Sequence, residues 1–149
     1  ARLGAMAADA DAATVDALST WSWELGMVFQ IVDDALDLVA TEEALGKPAG
    51  SDIREGTFTR AVLEAVQGPD GDRIRALLDR PRPYPDEAVE EVIRLVREGG
   101  YVDRTLEAAM QRVRVATDAL GVLPASPTRE ILATLGEYLV ARVDAARAY

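Results

Sequence analysis

Three aspartates at helical spacing are the residues best suited to chemistry in this sequence. Asp33, Asp34 and Asp37 lie in the stretch from Leu25 to Val39, which has no proline and no turn cluster. Because a helix turns about 100° per residue, Asp33 and Asp37 share one face and Asp34 lies at its edge. Carboxylate oxygens in this arrangement suit a hard cation such as Mg²⁺, which is usually completed by water and substrate phosphate. A solvated acidic face is the alternative.

The rest of this helix favours the metal interpretation. Gly26, Gln30 and Thr41 share the acidic arc, and apolar residues occupy the remainder: Leu25, Met27, Val28, Phe29, Ile31, Val32, Ala35, Leu36, Leu38 and Val39. A helix that is apolar on most sides is expected inside a bundle, where carboxylates are costly without a compensating cation. No Lys or Arg occurs from Leu3 to Gly46.

A loop is predicted from Thr41 to Ser51, since Gly46, Pro48 and Gly50 interrupt the helix. Its glycines are expected to let the backbone approach a ligand. Lys47, the one lysine among 16 basic residues, stands in this loop. An ammonium just beyond an acidic helix end suits a metal-bound phosphate group, and an exposed loop lysine is the alternative.

These residues form a recognisable motif. Phe29-Gln30-x-x-Asp33-Asp34-x-x-Asp37, followed by Leu45-Gly46-Lys47-Pro48-x-Gly50-x-Asp52, resembles the second aspartate-rich region of the trans-isoprenyl diphosphate synthases, or polyprenyl synthetases. Leu3-Gly4-Ala5-Met6 is also similar to that family. The resemblance implies an all-α helical bundle of the isoprenoid-synthase type, of which this chain is the C-terminal half. It predicts a single helical unit over 1–149, with the motif and its loop at 25–52.

The resemblance also implies a reaction and a set of site residues. The family condenses an allylic diphosphate with isopentenyl diphosphate, using Mg²⁺. Asp33 would bind Mg²⁺ directly, and Asp34 and Asp37 would do so directly or through water. Lys47 and Gln30 would contact the allylic diphosphate, and Asp52 matches the acidic position that closes the loop. The predicted catalytic residues are therefore Asp33, Asp34, Asp37 and Lys47.

Composition narrows the classes of function. The net charge of −10 and the pI near 4.5 argue against nucleic acid and anionic membrane surfaces as partners. The absence of Cys and His excludes thiol catalysis, Ser-His-Asp catalysis and most zinc sites, and it fits a cytoplasmic location. No apolar run has the length of a membrane span.

Further helices are predicted along the rest of the chain, with no strand. Trp21 and Trp23 are expected to pack or face solvent rather than stack on a ligand. The predicted helices are Ala1–Ala8, a segment after a break at Asp9 and Asp11, Thr57–Gln67, Asp72–Asp79, Asp86–Glu98, Tyr101–Leu120 and a last one capped by Ser126. Four arginines are expected on solvated faces rather than in a phosphate pocket: Arg73, Arg75, Arg94 and Arg97.

The family is about twice the length of this chain, and the sequence has no first aspartate-rich motif and no arginine pair for isopentenyl diphosphate. We therefore expect either a fragment of a longer synthase or a short subunit, inactive by itself. The alternative function is a non-catalytic helical subunit that associates with a complete synthase. Open apolar helix faces predict a homodimer or association with the missing N-terminal half.

Overall fold

The computed structural model describes residues 1–40 and 48–147. Over these residues every regular element is helical and no strand occurs, which confirms the all-α prediction. The α-helices are α1 (Arg2–Ala7), α2 (Ala12–Val39), α3 (Ser51–Glu55), α4 (Arg60–Val66), α5 (Gly71–Leu78), α6 (Asp86–Glu98), α7 (Tyr101–Ala119) and α8 (Pro127–Arg147), and a 3₁₀ turn covers Leu120–Val122. Within the described ranges, no helix combines the length and apolarity that a bilayer span requires.

The predicted break before α2 is confirmed. Asp9 has a positive φ of 52°, and the Asp11 carboxylate accepts a hydrogen bond of 2.8 Å from the Thr14 backbone N–H. Asp11 therefore caps α2, and this hydrogen bond holds the pKa of Asp11 below its ordinary value. At the far end of the chain, Ser126 caps α8 as predicted, because its hydroxyl accepts from the Arg129 N–H.

Two boundaries differ from the prediction by more than a residue or in the type of element, whereas other helix ends differ by one residue. The predicted loop continues through Ser51, but the structure begins helix α3 at that residue, between left-handed Gly50 and Gly56. The next helix, α4, begins at Arg60 rather than Thr57. The reason is that Gly56 reverses the chain and the Thr57 N–H donates to the Asp52 carbonyl at 2.8 Å, so these residues end α3 instead of beginning α4.

The described chain divides into two compact units, and α2, α7 and α8 each have residues in both. Unit 1 comprises residues 1–32 and 108–142. In it, the Trp21 indole N–H donates to the Leu132 carbonyl at 3.2 Å, and Arg112 pairs with Glu24 at 2.8 Å. Trp21 packs and Trp23 is 69% exposed, which agrees with the structural roles predicted for them.

Unit 2 comprises residues 33–107 and the chain from Val143 onward. Its core is formed by small and branched apolar side chains of α4, α5 and α6, which pack against one another. These include Val62, Ala65, Ile74, Val89, Val92 and Val96, none of them measurably exposed. The i, i+3, i+7 spacing on α6 explains why its predicted bounds and apolar face are confirmed.

Candidate aspartate-rich site

The three aspartates of α2 have different environments. Asp33 is exposed, Asp34 is half-buried, and Asp37 keeps only 4% of its surface exposed. Gln30 is exposed on the same helix. The acidic arc therefore passes from solvent into the protein as α2 approaches its C-terminal end.

The opposite side of α2 is buried, as its apolar pattern predicts. Val28, Val32, Ala35 and Leu38 are at most 2% exposed. Phe29 differs from the expected pattern because it is 53% exposed, even though it belongs to the apolar arc. Phe29 lies one turn before Asp33 on the helix, at the edge of that arc, where a side chain is not fully covered.

Asp37 and Asp52 are brought together by the fold. The Asp37 carboxylate accepts a hydrogen bond from the Asp52 backbone N–H at 3.1 Å. The Asp37 main-chain carbonyl accepts another from the Gly50 N–H at 2.8 Å. Two residues that the motif separates by 15 positions are thus adjacent at the end of α2.

Helix α3, which contains Asp52, is held by contacts along its length. Ile53 is 1% exposed, and Arg54 forms an ion pair with Asp86 at the start of α6. At the C-terminal end, the Arg82 guanidinium donates to the Glu55 carbonyl at 2.6 Å. These contacts place α3 rigidly, although it has only five residues.

Gly50 has a packing role that the sequence did not indicate. The sequence suggests a glycine that lets the backbone approach a ligand. In the structure, a Cβ atom on Gly50 would lie 2.6 Å from Cδ1 of Ile93 and 2.9 Å from Cγ1 of Val89. Gly50 is therefore required by close packing against α6 and by its φ of 72°, which L side chains rarely adopt.

Several predicted site residues fall outside the described part of the chain. Residues 41–47 form this group, and they include Gly46 and Lys47. The role of Lys47 at a diphosphate group stays a prediction.

Arg97 is exposed, as the sequence predicts, and it also makes a contact near the site that the sequence did not indicate. Its Nε–H donates to the Leu38 carbonyl at 2.5 Å, in the last turn of α2. That turn contains no basic residue of its own, so its carbonyl groups attract a cation from another helix. The absence of a basic residue from the last turn of α2 is the sequence signal that could have indicated such a contact. Arg73, Arg75 and Arg94 are also exposed, as predicted, and they form ion pairs with acidic residues.

Arg97 also lines a cleft beside the end of α2. The cleft has a volume of about 540 Å³ and mixes cationic, acidic and apolar side chains. Its lining includes Val39, Pro48, Arg54, Glu90, Ile93 and Arg97.

The aspartates fit a hard cation in part. No group of three or more His, Cys, Asp or Glu residues close enough to hold a metal occurs among the residues described. Asp33 is exposed and Asp34 is half-buried, whereas one oxygen of the buried Asp37 carboxylate accepts from the Asp52 N–H. This donor set suits Mg²⁺ that is completed by water and phosphate oxygens rather than enclosed by protein.

Comparison with known proteins agrees with the motif. The polyprenyl synthetase family model matches residues 1–96. The chain is 37% identical over 143 residues to nonaprenyl diphosphate synthase of Mycobacterium tuberculosis, covering 95% of this chain and 42% of that protein. It is 34% identical to a short chain isoprenyl diphosphate synthase of Methanothermobacter thermautotrophicus, with 95% and 43% covered.

Solved structures show the same relationship in three dimensions. Geranylgeranyl pyrophosphate synthase of Corynebacterium glutamicum, crystallised with calcium and isoprenyl diphosphate, superposes with a TM-score of 0.85 at 36% identity. The match covers 95% of this chain and 44% of that one, so the chain spans less than half the length of its relatives. The predicted isoprenoid-synthase-type fold is confirmed. Because the family model covers most of the sequence and includes the whole aspartate-rich motif, the chain belongs to the polyprenyl synthetase family.

Proposed function

We propose that this chain contributes the metal- and diphosphate-binding side of a prenyltransferase active site. The proposed reaction condenses an allylic diphosphate with isopentenyl diphosphate. The observation that carries the proposal is the position of Asp33 and Asp34, which lie accessible on α2 beside a third aspartate that contacts the start of α3. The family relationship supports the choice of reaction.

The reaction needs little from the protein except charge and position. The bond between the allylic carbon and a diphosphate oxygen breaks, the isopentenyl double bond forms a new carbon–carbon bond, and a proton is lost. Bound Mg²⁺ would supply positive charge that offsets the charge of the departing diphosphate. No thiol or imidazole is required, which agrees with a sequence that has neither.

The predicted residues other than Asp37 have defined parts in this proposal. Asp33 and Asp34 hold the metal, directly or through water. Gln30 and Lys47 contact the allylic diphosphate, and Asp52 closes the loop beside it. The absence of cysteine supports a reducing compartment, and we propose a cytoplasmic location.

A second candidate function is association with a complete synthase as a non-catalytic helical subunit. The exposed apolar side chains of α8, including Ile131 at 67% and Tyr138 at 65%, favour it. That function needs no metal or diphosphate site, so ligand binding distinguishes the two.

The experiment is a thermal unfolding titration of the 149-residue chain with Mg²⁺ and pyrophosphate together. We expect the melting temperature to rise, because a ligand that binds the folded state stabilises it by mass action. Asp33→Ala should abolish the rise by removing an accessible metal ligand. Asp16→Ala, on the exposed side of the same helix, is the matched control and should keep it.

The outcome separates the two functions. Stabilisation that requires both ligands and Asp33 supports the prenyltransferase site. A wild-type melting temperature that does not change with the ligands would contradict it and favour the associating subunit.

A further inference from the structure

Asp37 differs from its two neighbours in burial and in its partners. It is 4% exposed, whereas Asp33 is exposed and Asp34 is half-buried. Burial of a carboxylate is costly unless hydrogen bonds compensate for lost water. The partners of Asp37 therefore indicate why an aspartate occupies this position.

Asp37 contacts two main-chain N–H groups at the start of α3. The carboxylate accepts from Asp52 at 3.1 Å, and the carbonyl accepts from Gly50 at 2.8 Å. Asp37 lies in the last turn of α2, so a single residue joins the end of one helix to the beginning of the next. At Gly50 the chain is again next to the C-terminal end of α2.

The carboxylate serves α3 as a cap from another helix. The N-cap residue of α3 is Gly50, which makes no side-chain cap hydrogen bond. Helices begin with backbone N–H groups that lack partners and carry partial positive charge, and an acidic oxygen satisfies both requirements. Arg82 provides the complementary contact at the other end, where it donates to the Glu55 carbonyl.

A helix of five residues has little stability by itself, so these contacts decide its position. If either end were released, Asp52 would no longer keep a defined distance from Asp33 and Asp34. Gly50, immediately before α3, would also lose the contact that holds it at the end of α2.

We propose that Asp37 is a positioning residue rather than a metal ligand. It caps α3 and holds Gly50 and Asp52 against the end of α2, while metal binding belongs to Asp33 and Asp34. This inference rests on the proposed function, and it assigns different roles to aspartates that the sequence motif groups together.

Asparagine distinguishes the two roles, because it keeps an acceptor oxygen of the same shape but removes the charge. A cap tolerates that change, whereas a ligand of a hard cation does not. The variants are Asp37→Asn, Asp37→Ala and Asp33→Asn, with Asp16→Ala as the control. Two quantities are measured for each: hydrogen-exchange protection of the Asp52 amide, and calorimetric affinity for pyrophosphate in the presence of Mg²⁺.

We expect Asp37→Ala to reduce Asp52 protection about tenfold and to weaken pyrophosphate binding about tenfold. Asp37→Asn should keep both within about threefold of wild type, because its amide oxygen still accepts from Asp52. Asp33→Asn should lose pyrophosphate binding and keep the hydrogen-exchange protection of the Asp52 amide. If Asp37→Ala does not fold, the comparison of Asp37→Asn with wild type decides by itself.

Two results would overturn the proposal. One is Asp37→Asn losing binding as completely as Asp33→Asn while Asp52 stays protected, which would make Asp37 a ligand. The other is unchanged Asp52 protection in Asp37→Ala. Failure of wild type to bind pyrophosphate would overturn the proposed function alone, because hydrogen-exchange protection of the Asp52 amide tests the Asp37 cap without a ligand.

Discussion

At the scale of single residues, equal spacing does not produce equal roles. Asp33, Asp34 and Asp37 share a helix face, yet Asp37 is the most buried of the three and accepts a hydrogen bond from the backbone of α3. A carboxylate near water can bind a cation with little reorganisation. A carboxylate whose oxygen already accepts a hydrogen bond from a backbone N–H stabilises the local backbone rather than binding a cation.

Glu91 on α6 offers a prediction about pH. It contacts Arg94 and Arg73, and the hydrogen bond from Arg94 is the largest cause of a pKa below the ordinary value of 4.5. A carboxylate with a lowered pKa in the folded state stabilises the protein fully above its ordinary pKa, and this contribution is lost as the pH falls through the folded pKa. We expect Glu91→Gln to be less stable than wild type at pH 7.

The measurement is urea unfolding of wild type and Glu91→Gln over a range of pH. The difference between their midpoints should shrink as the pH falls below 4.5. Glu87→Gln, an exposed position on the same helix, is the control and should show a smaller effect. A difference that stays constant at low pH would show that the ion pairs are not its cause.

At the scale of elements, the return from α2 to α3 depends on backbone geometry as much as on charge. Gly50 has a left-handed φ and lies close to two side chains of α6. Gly100 has a nearly identical φ of 70°, but a Cβ there would meet no atom within 4 Å. These two glycines separate the effect of backbone conformation from the effect of packing.

We expect Gly100→Ala to cost about 1 kcal/mol of unfolding free energy, because only backbone strain is added. Gly50→Ala should cost about 2–4 kcal/mol, since contact with Ile93 and Val89 is added to the same strain. Chemical denaturation of both variants measures the difference. Equal losses would mean that α6 moves aside without cost and that Gly50 is not required for packing.

At the scale of the whole molecule, an apolar stripe on α8 stands out. Ile131, Leu135 and Tyr138 are 67%, 36% and 65% exposed, and their i, i+4, i+7 spacing places them on one helix face. Large apolar side chains grouped in this way are typical of an interaction surface. The sequence predicts either a homodimer or association with a polypeptide that corresponds to the remainder of the longer relatives.

We expect the chain alone to self-associate through this stripe at micromolar concentrations. Light scattering coupled to size-exclusion chromatography measures the mass. Ile131→Glu combined with Tyr138→Glu should shift the population toward monomer, because burying the new charges would be costly. Val122→Glu, at an apolar position that is 59% exposed outside the stripe, is the control. A monomeric wild type would contradict the prediction.

The sequence by itself determined the helical class, most helix boundaries and the candidate chemistry. Periodicity defined α6 to the residue, and the capping residues Asp11 and Ser126 marked where α2 and α8 begin. These signals are local, because a helix face and a cap involve residues only a few positions apart. The aspartate-rich motif was local for the same reason.

Only the tertiary structure decided which aspartate is buried, why Gly50 is a glycine, and where α3 forms. Asp37 reaches the backbone 15 residues away, Gly50 meets α6, and Arg97 reaches α2 from a helix about 60 residues later. Such contacts depend on the packing of whole elements, which a pattern of adjacent residues does not encode. Helix α3 was not predicted, because contacts with distant residues stabilise it and its own five residues are too few to show a helical pattern.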